Sequence, residues 1–260
     1  MNEQLKQITR ECTTNLRSMM KKANYVLTIM AIFFSISLSS CGSDNNDEPD
    51  ASIPTSIDVL VGRNFMLGAK GNWYSSNDFI ASVTNDGVVF AKHVGECVIE
   101  GAIGRKKYYC TVTVNPTSTL IQEPITEWNM SKPQLIAKCG QDYVVSGKSI
   151  GYITNNNIAP IVLYLFDDSN KLSSSAVTVK TSYTSELVNF LTERYQVIGR
   201  DGYDFFFANG SNQQSITTVV GVQRYSYDRN YWVVMYMPYN DSRSIDMIDI
   251  NANIPKWDLD

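Results

Sequence analysis

Histidine, metal-binding spacings and glycine-rich phosphate loops are scarce or missing in this chain of 260 residues. A Ser-His-Asp or Cys-His catalytic site would have to use the single histidine, His93, whose strand-to-turn position favours an exposed loop residue. The five cysteines include no Cys-x-x-Cys pair, which argues against a zinc site. No Walker or Rossmann glycine pattern is present. The sequence therefore predicts no cofactor and no metal site.

The chain also lacks an excess of positive charge. Without residues 1–40, it has 17 Lys and Arg against 24 Asp and Glu, a net charge near −7. An acidic chain without a basic stripe argues against a nucleic-acid partner. It also argues against electrostatic attachment to anionic lipids, so any membrane anchor must be apolar.

A carboxylate pair of the glycosidase type is not indicated either. Such a site needs two Asp or Glu side chains facing each other across a cleft. Glu186 and Glu193 lie seven residues apart on a predicted helix and are expected on one solvated face. The remaining candidates fall in predicted turns, where Asp accepts backbone hydrogen bonds: Asp201, Asp204, Asp228 and Asp241. We therefore expect a protein that is not an enzyme, with an unrecognised carboxylate site as the alternative.

The N-terminal region contains the most informative pattern. Two lysines precede an apolar run of 14 residues, Tyr25–Leu38, which ends in small residues directly before Cys41. A membrane-spanning helix needs roughly 20 apolar residues, so this run is too short for one. Residues 1–40 instead have the design of a bacterial lipoprotein signal peptide that is removed before Cys41. Cys41 would then carry lipid, and the chain would be tied to a membrane through it.

Two further expectations follow from this signal. The acidic residues ahead of the lysines fit no signal peptide, so translation is predicted to start at Met19 or Met20. Residues 41–54 form an acidic tether with nothing to bury. This tract resembles the surface-export signal of lipoproteins from Gram-negative gut bacteria, and a plain solvated linker is the alternative. We expect an outer-membrane location, facing the cell surface or the periplasm.

Residues 55–115 show short alternating segments separated by turns. Cys97–Gly101 and Cys110–Val114 alternate on either side of a turn at residues 104–106, which indicates a hairpin. Asn85–Gly87 is a tight-turn signal. No helical period is present, and strands at this spacing favour an all-β, immunoglobulin-like sandwich.

Specific residues in this region resemble the group 2 bacterial immunoglobulin-like (Big) domain. The resemblance covers roughly residues 52–115, and the segments that carry it are Trp73–Asn77, Ile80–Val83, Asp86–Ala91, Gly95 and Thr111–Val114. It implies a spacer or binding domain in which Trp73 fills the core and Gly87 supplies a positive φ. Cys97 and Cys110 would both point inward. A disulfide forms between them if their β-carbons approach to about 3.8 Å, and two buried free thiols are the alternative.

Residues 116–260 predict a second, α+β domain. A helix at 131–140 has Ser131 as its N-cap and Gly140 at its end. A second helix, at 184–195, has an apolar stripe. Strands are expected at 150–154, 161–166, 176–180, 203–208, 215–225 and 231–237. This order suggests a duplicated helix followed by a three-stranded antiparallel meander. It resembles small periplasmic inhibitor-like and assembly-factor domains and the C-terminal module of uncharacterised gut-bacterial lipoproteins.

Aromatic residues crowd the last predicted hairpin. On a strand, Trp232 and Tyr236 share one face. We consider a ligand platform formed by Tyr225, Tyr227, Trp232 and Tyr236. The alternative is that both faces of the hairpin are covered.

Together these patterns predict a non-catalytic, lipid-anchored protein of the cell envelope. Its immunoglobulin-like spacer would present a C-terminal binding module for a glycan or an envelope protein. The alternatives are an envelope hydrolase and a purely structural envelope component.

Overall fold

A computed structural model of the chain describes residues 52–201, 204–212, 214–226 and 228–239. These residues form two compact units. The first, named here the sandwich unit, comprises residues 52–119 and 188–195. The second, the sheet unit, comprises residues 120–187 and the described residues from 196 onward. The predicted signal peptide, Cys41 and nearly all of the predicted tether lie outside the described residues.

The sandwich unit is built from seven strands in two sheets, which is compatible with an immunoglobulin-like fold. The strands are β1 (Ser56–Leu60), β2 (Asn64–Met66), β3 (Asn72–Ser75), β4 (Ala81–Val83), β5 (Val88–Ala91), β6 (Gly95–Ile103) and β7 (Lys106–Asn115). One sheet has the order β1-β7-β6-β3, and the other has the order β2-β5-β4. Strands β6 and β7 form the hairpin predicted around residues 104–106.

The alternating pattern of β6 and β7 places every second side chain in the core, as the period of a strand requires. Trp73 is 4% exposed and belongs to this core. It pairs across the strands with Gly101, and a β-carbon at Gly101 would lie 2.1 Å from the Trp73 ring. Gly87 has φ +77°, as predicted for the tight turn. The indole of Trp73 thus occupies the space that the missing side chain of Gly101 leaves.

Cys97 and Cys110 are buried free thiols. Both point into the core, but the register pairs Cys97 with Val112 and Cys110 with Ile99. The two cysteines are therefore diagonal neighbours, whose β-carbons typically lie about 7 Å apart rather than the roughly 4 Å that a disulfide needs. Of the two alternatives that the sequence left open, the structure has the free thiols.

The sheet unit contains one antiparallel sheet of eight strands, one short helix and the first four residues of a second helix. The strands are β8 (Val144–Ser146), β9 (Ser149–Ile153), β10 (Ile161–Phe166), β11 (Leu172–Lys180), β12 (Gln196–Asp201), β13 (Asp204–Ala208), β14 (Thr218–Arg224) and β15 (Tyr231–Pro238). Helix α1 is Lys132–Cys139, and helix α2 is Thr184–Thr192, of which residues 184–187 belong to this unit.

The strand order is β12-β13-β14-β15-β11-β10-β9-β8, so each helix is followed by a meander of four strands and the last strands of the two meanders pair. The sequence predicted three strands after each helix, and this number is wrong, because four follow each helix. The missed strands, β8 and β12, are the two edges of the sheet. An edge strand pairs on one side only, and β8 is just three residues long, which explains the weak sequence signal.

Helix α1 begins and ends where the sequence predicted. Gln134 Oε1 accepts hydrogen bonds from the Ser131 backbone N–H at 2.9 Å and from the Ser131 hydroxyl at 2.7 Å. Gly140 follows the helix with φ +98°, and its N–H donates to the Ile136 carbonyl at 2.8 Å. These contacts satisfy backbone groups that a short helix leaves unpaired at its ends.

Candidate functional site

The aromatic residues of the last hairpin do not form an open platform. Tyr225, Trp232 and Tyr236 are 9%, 6% and 0% exposed, and Tyr227 lies outside the described residues. Seven consecutive residues of β15, Tyr231–Met237, are buried, so both faces of this central strand are covered. The Trp232 indole N–H donates to the Thr184 hydroxyl at 2.8 Å. The aromatic residues of this hairpin are therefore covered on both faces, which was the alternative to an open platform.

His93 is half-buried rather than an exposed loop residue. Its ring stacks on Phe79 with centroids 3.9 Å apart, and Nδ1 lies 2.7 Å from the Phe79 carbonyl oxygen. Loss of hydrating water lowers the pKa of His93 below its usual value. A neutral ring with its proton on Nδ1 satisfies this contact, which gives His93 a structural role.

The sequence predicted Glu193 on a solvated helix face, and this prediction is wrong. Glu193 lies in a polar cluster within the sandwich unit. Its side chain is 11% exposed. The backbone N–H groups of Thr117 and Ser118 each donate to Glu193 Oε2 at 3.0 Å, and the Thr117 hydroxyl donates to Oε1. Arg194 Nη1 lies 3.7 Å from Oε2. Burial raises the pKa of Glu193, but these donors outweigh it and hold the pKa below 4.5.

We expect the Glu193→Gln variant to be less stable than the wild type by about 1–3 kcal/mol at pH 7, because a charged acceptor of three hydrogen bonds is lost. The pKa of Glu193 is lower in the folded protein than in the unfolded chain, where it is about 4.5. The ionised carboxylate therefore stabilises the fold at every pH above about 4.5. This contribution disappears as the pH falls through the lower, folded-state pKa. Urea unfolding at pH 7 and pH 3.5 measures both effects.

The exposed Glu186, on helix α2, is the matched control for this charge change. Glu186→Gln should leave the unfolding free energy nearly unchanged at both pH values. Equal losses at pH 7 in the two variants would contradict the assignment of Glu193 to a buried cluster.

The sheet unit contains a cavity of about 560 Å³. It lies beside the C-terminal end of α1, between residues 122–125, the loop 154–159 and side chains of β9, β10 and β11. This volume is within the roughly 300–1,000 Å³ of ordinary small-molecule sites. Its lining combines aromatic, apolar and polar residues: Gln122, Glu123, Pro124, Ile125, Lys138, Cys139, Tyr152, Ile153, Thr154, Asn155, Asn156, Ala159, Val162, Tyr164 and Val177.

Two tyrosines form an aromatic wall of this cavity. Tyr152 and Tyr164 have ring centroids 6.0 Å apart in an edge-to-face arrangement. The Tyr152 hydroxyl donates to the Gly140 carbonyl at 3.1 Å, and Tyr164 Oη accepts the Ile125 N–H at 3.3 Å. Burial raises the pKa of Tyr152 to about 12 and raises the pKa of Tyr164 as well. Both hydroxyls therefore stay protonated at physiological pH, as donors rather than nucleophiles.

The polar side of the cavity is held in place before any ligand arrives. The Thr154 hydroxyl donates to the Ala159 carbonyl at 2.6 Å, and Asn156 Oδ1 accepts the Ile158 N–H at 2.9 Å. Asn155, between them, is exposed at the cavity. Among the described residues that line the cavity, Glu123 is the one carboxylate, whereas glycoside hydrolysis uses two. The arrangement suits recognition of a small polar ligand by stacking and hydrogen bonds.

The sequence contained no local signal for this cavity. Tyr152 and Tyr164 lie in strands that were predicted, but their common face depends on the register of β9 and β10, which pairs Tyr152 with Val162 and Ile150 with Tyr164. The opposite wall comes from residues 122–125, about thirty positions earlier in the chain. Within the described ranges, no three His, Cys, Asp or Glu residues come close enough to hold a metal ion.

Comparisons with known proteins leave the function open. No family model matches the chain, and no curated protein matches it. Among solved structures, it is similar to the C-terminal domain of TagH at 10% identity, over 66% of this chain and 98% of that chain. The TM-score of 0.22 is too low for any argument about fold or function.

Proposed function

We propose that this protein is a non-catalytic, lipid-anchored protein of the cell envelope that binds a saccharide-sized polar ligand in the cavity of its sheet unit. Lipid on Cys41 would provide the anchor at the outer membrane. The sandwich unit would serve as a Big-type spacer, and the sheet unit, an α+β domain, would be the binding module. The observation that carries the binding proposal is the preformed cavity with its tyrosine wall.

Several features of the cavity support a ligand that carries hydroxyl groups. The face of Tyr152, which is only partly buried, is suited to stacking against the C–H side of a sugar ring, since aromatic faces carry partial negative charge. Carboxamides at Asn155 and Gln122 both donate and accept hydrogen bonds, as hydroxyl groups require.

In the described part of the chain, no helix is long and apolar enough to cross a membrane.

The proposal is tested with a glycan array and the purified full-length protein. Asn155→Ala removes an exposed polar group from the cavity, so we expect binding to weaken about tenfold, which corresponds to about 1.4 kcal/mol. Tyr152→Ala should weaken binding at least as much, because it removes the stacking surface. Isothermal titration with the best array ligand gives the dissociation constants.

Asn157→Ala is the matched control, because Asn157 is an exposed asparagine of the same loop that does not line the cavity. It should bind like the wild type. Full binding by Asn155→Ala and Tyr152→Ala, or turnover of the ligand during the titration, would rule out the proposed role.

A further inference from the structure

Two strongly exposed tyrosines lie in one row on the outer face of the sandwich unit. Tyr74 on β3 pairs with Glu100 on β6, and Glu100 pairs with Tyr109 on β7. The tyrosines are 69% and 54% exposed. Because neighbouring strands lie about 4.8 Å apart, the two tyrosines are separated by about 10 Å across the strands. We name Tyr74, Glu100 and Tyr109 the tyrosine row.

The tyrosine row is not needed to fill the core. Trp73 and Tyr108, the sequence neighbours of the two tyrosines, point to the opposite side of the sheet, and their rings lie 6.4 Å apart. Burial of those two rings stabilises the sandwich unit. The outward rings leave most of their area in water, which is unfavourable for a residue kept only for stability.

Polar groups accompany the two rings. Glu100, between them, is exposed, and the Lys107 ammonium lies 3.6 Å from Glu100 Oε1. Other outward positions on the same three strands carry mostly small or polar side chains: Asn72, Glu96, Val98, Ala102, Thr111 and Thr113. This surface combines two stacking faces with a carboxylate acceptor and an ammonium donor between or beside them.

We propose that the tyrosine row binds a neutral polysaccharide chain that lies across strands β3, β6 and β7. Each tyrosine would stack on the C–H face of one sugar ring, and Glu100 and Lys107 would hydrogen-bond the hydroxyl groups between the two stacked rings. A row of sites separated by about 10 Å fits an extended chain rather than a single sugar.

The charges on this surface decide between classes of partner. Centres of protein–protein interfaces are depleted of charged residues, whereas this row has Glu100 at its middle. Glu96 also lies on this face, so acidic groups outnumber Lys107 and disfavour an anionic polysaccharide. The site goes beyond the proposed function, in which the sandwich unit is a spacer and the ligand enters the cavity of the sheet unit.

Affinity electrophoresis of the full-length protein tests the tyrosine row. The gels contain neutral xylan, mixed-linkage β-glucan, mannan or starch, with anionic polygalacturonate in parallel. We expect retardation by at least one neutral polysaccharide. Tyr74→Ala and Tyr109→Ala should each weaken binding about tenfold, whereas Tyr74→Phe should retain it because the stacking ring remains.

Two control variants show whether the tyrosine row itself retards the protein. Met66→Ala truncates a 64% exposed side chain of the other sheet and should bind normally. Asn155→Ala, which changes the cavity of the sheet unit, should also be retarded normally. The experiment therefore distinguishes a failed proposal for the cavity from a failed proposal for the tyrosine row. Retardation by none of the neutral polysaccharides, or unchanged retardation of both alanine variants, would overturn the proposal. Self-association that Tyr74→Ala abolishes would likewise overturn it, because the row would then join two copies of the chain.

Discussion

Replacing Gly101 by alanine is expected to destabilise the sandwich unit by about 3 kcal/mol or more, at the upper end of what overpacking costs. The new methyl group would lie 2.1 Å from Cε3 and 2.7 Å from Cδ2 of Trp73. The Trp73 ring is 4% exposed and packed in the core, so it has no free space into which to move. Denaturant unfolding monitored by tryptophan fluorescence measures the loss.

A double-mutant cycle identifies the cause of this loss. Trp73→Leu alone should also destabilise the unit, since it removes buried aromatic area. The double variant should lose less unfolding free energy than the sum of the two single variants, because the smaller leucine side chain leaves room for the new methyl group. Gly62→Ala is the control: Gly62 has φ +77° but open space around it, so only backbone strain should appear. Additive losses in the cycle would contradict a clash with Trp73.

Cys41→Ser is expected to move the protein almost completely from the membrane fraction to the soluble fraction. Each buried methylene of an acyl chain contributes about 0.8 kcal/mol to membrane binding, so several chains on one cysteine make a nearly permanent anchor. The net charge near −7 after residue 40 provides no attraction to anionic lipids that could replace it. Cell fractionation, with metabolic labelling by a palmitate analogue, measures the change.

Cys139→Ser is the control for this experiment, because it removes a thiol of the folded sheet unit. It should leave both the label and the membrane location unchanged. Mass spectrometry should find the mature chain starting at a lipid-modified Cys41. A mature N-terminus elsewhere would exclude the proposed lipid anchor at Cys41.

The sequence predicted the local features of the fold with good accuracy. Helix α1 was expected from its capping residues, and β10 was predicted with the bounds that the structure shows. The Gly87 turn and the hairpin of β6 and β7 were expected from turn residues and alternation. These signals succeed because capping, turn conformation and alternation depend on residues within a few positions of one another.

The functional surfaces were harder to predict. The aromatic run of β15 suggested a platform, but a strand buried on both faces has the same composition. Conversely, Tyr74 and Tyr109 stand apart in the sequence, and only the pairing of β3, β6 and β7 brings them into one row with Glu100. An aromatic residue in a strand does not reveal which side it faces until the register and the covering elements are known.

Sequence alone determined helix α1, most of the strands, several of the turns and the acidic net charge of the chain. Tertiary structure alone decided that Glu193 is enclosed by residues 76 positions away, that Tyr236 is fully buried, and that a cavity forms beside Tyr152. The physical reason is the distance along the chain over which each interaction acts. Backbone preferences act between close neighbours along the chain, whereas burial and hydrogen-bond partners come from segments that meet only after the strands have paired.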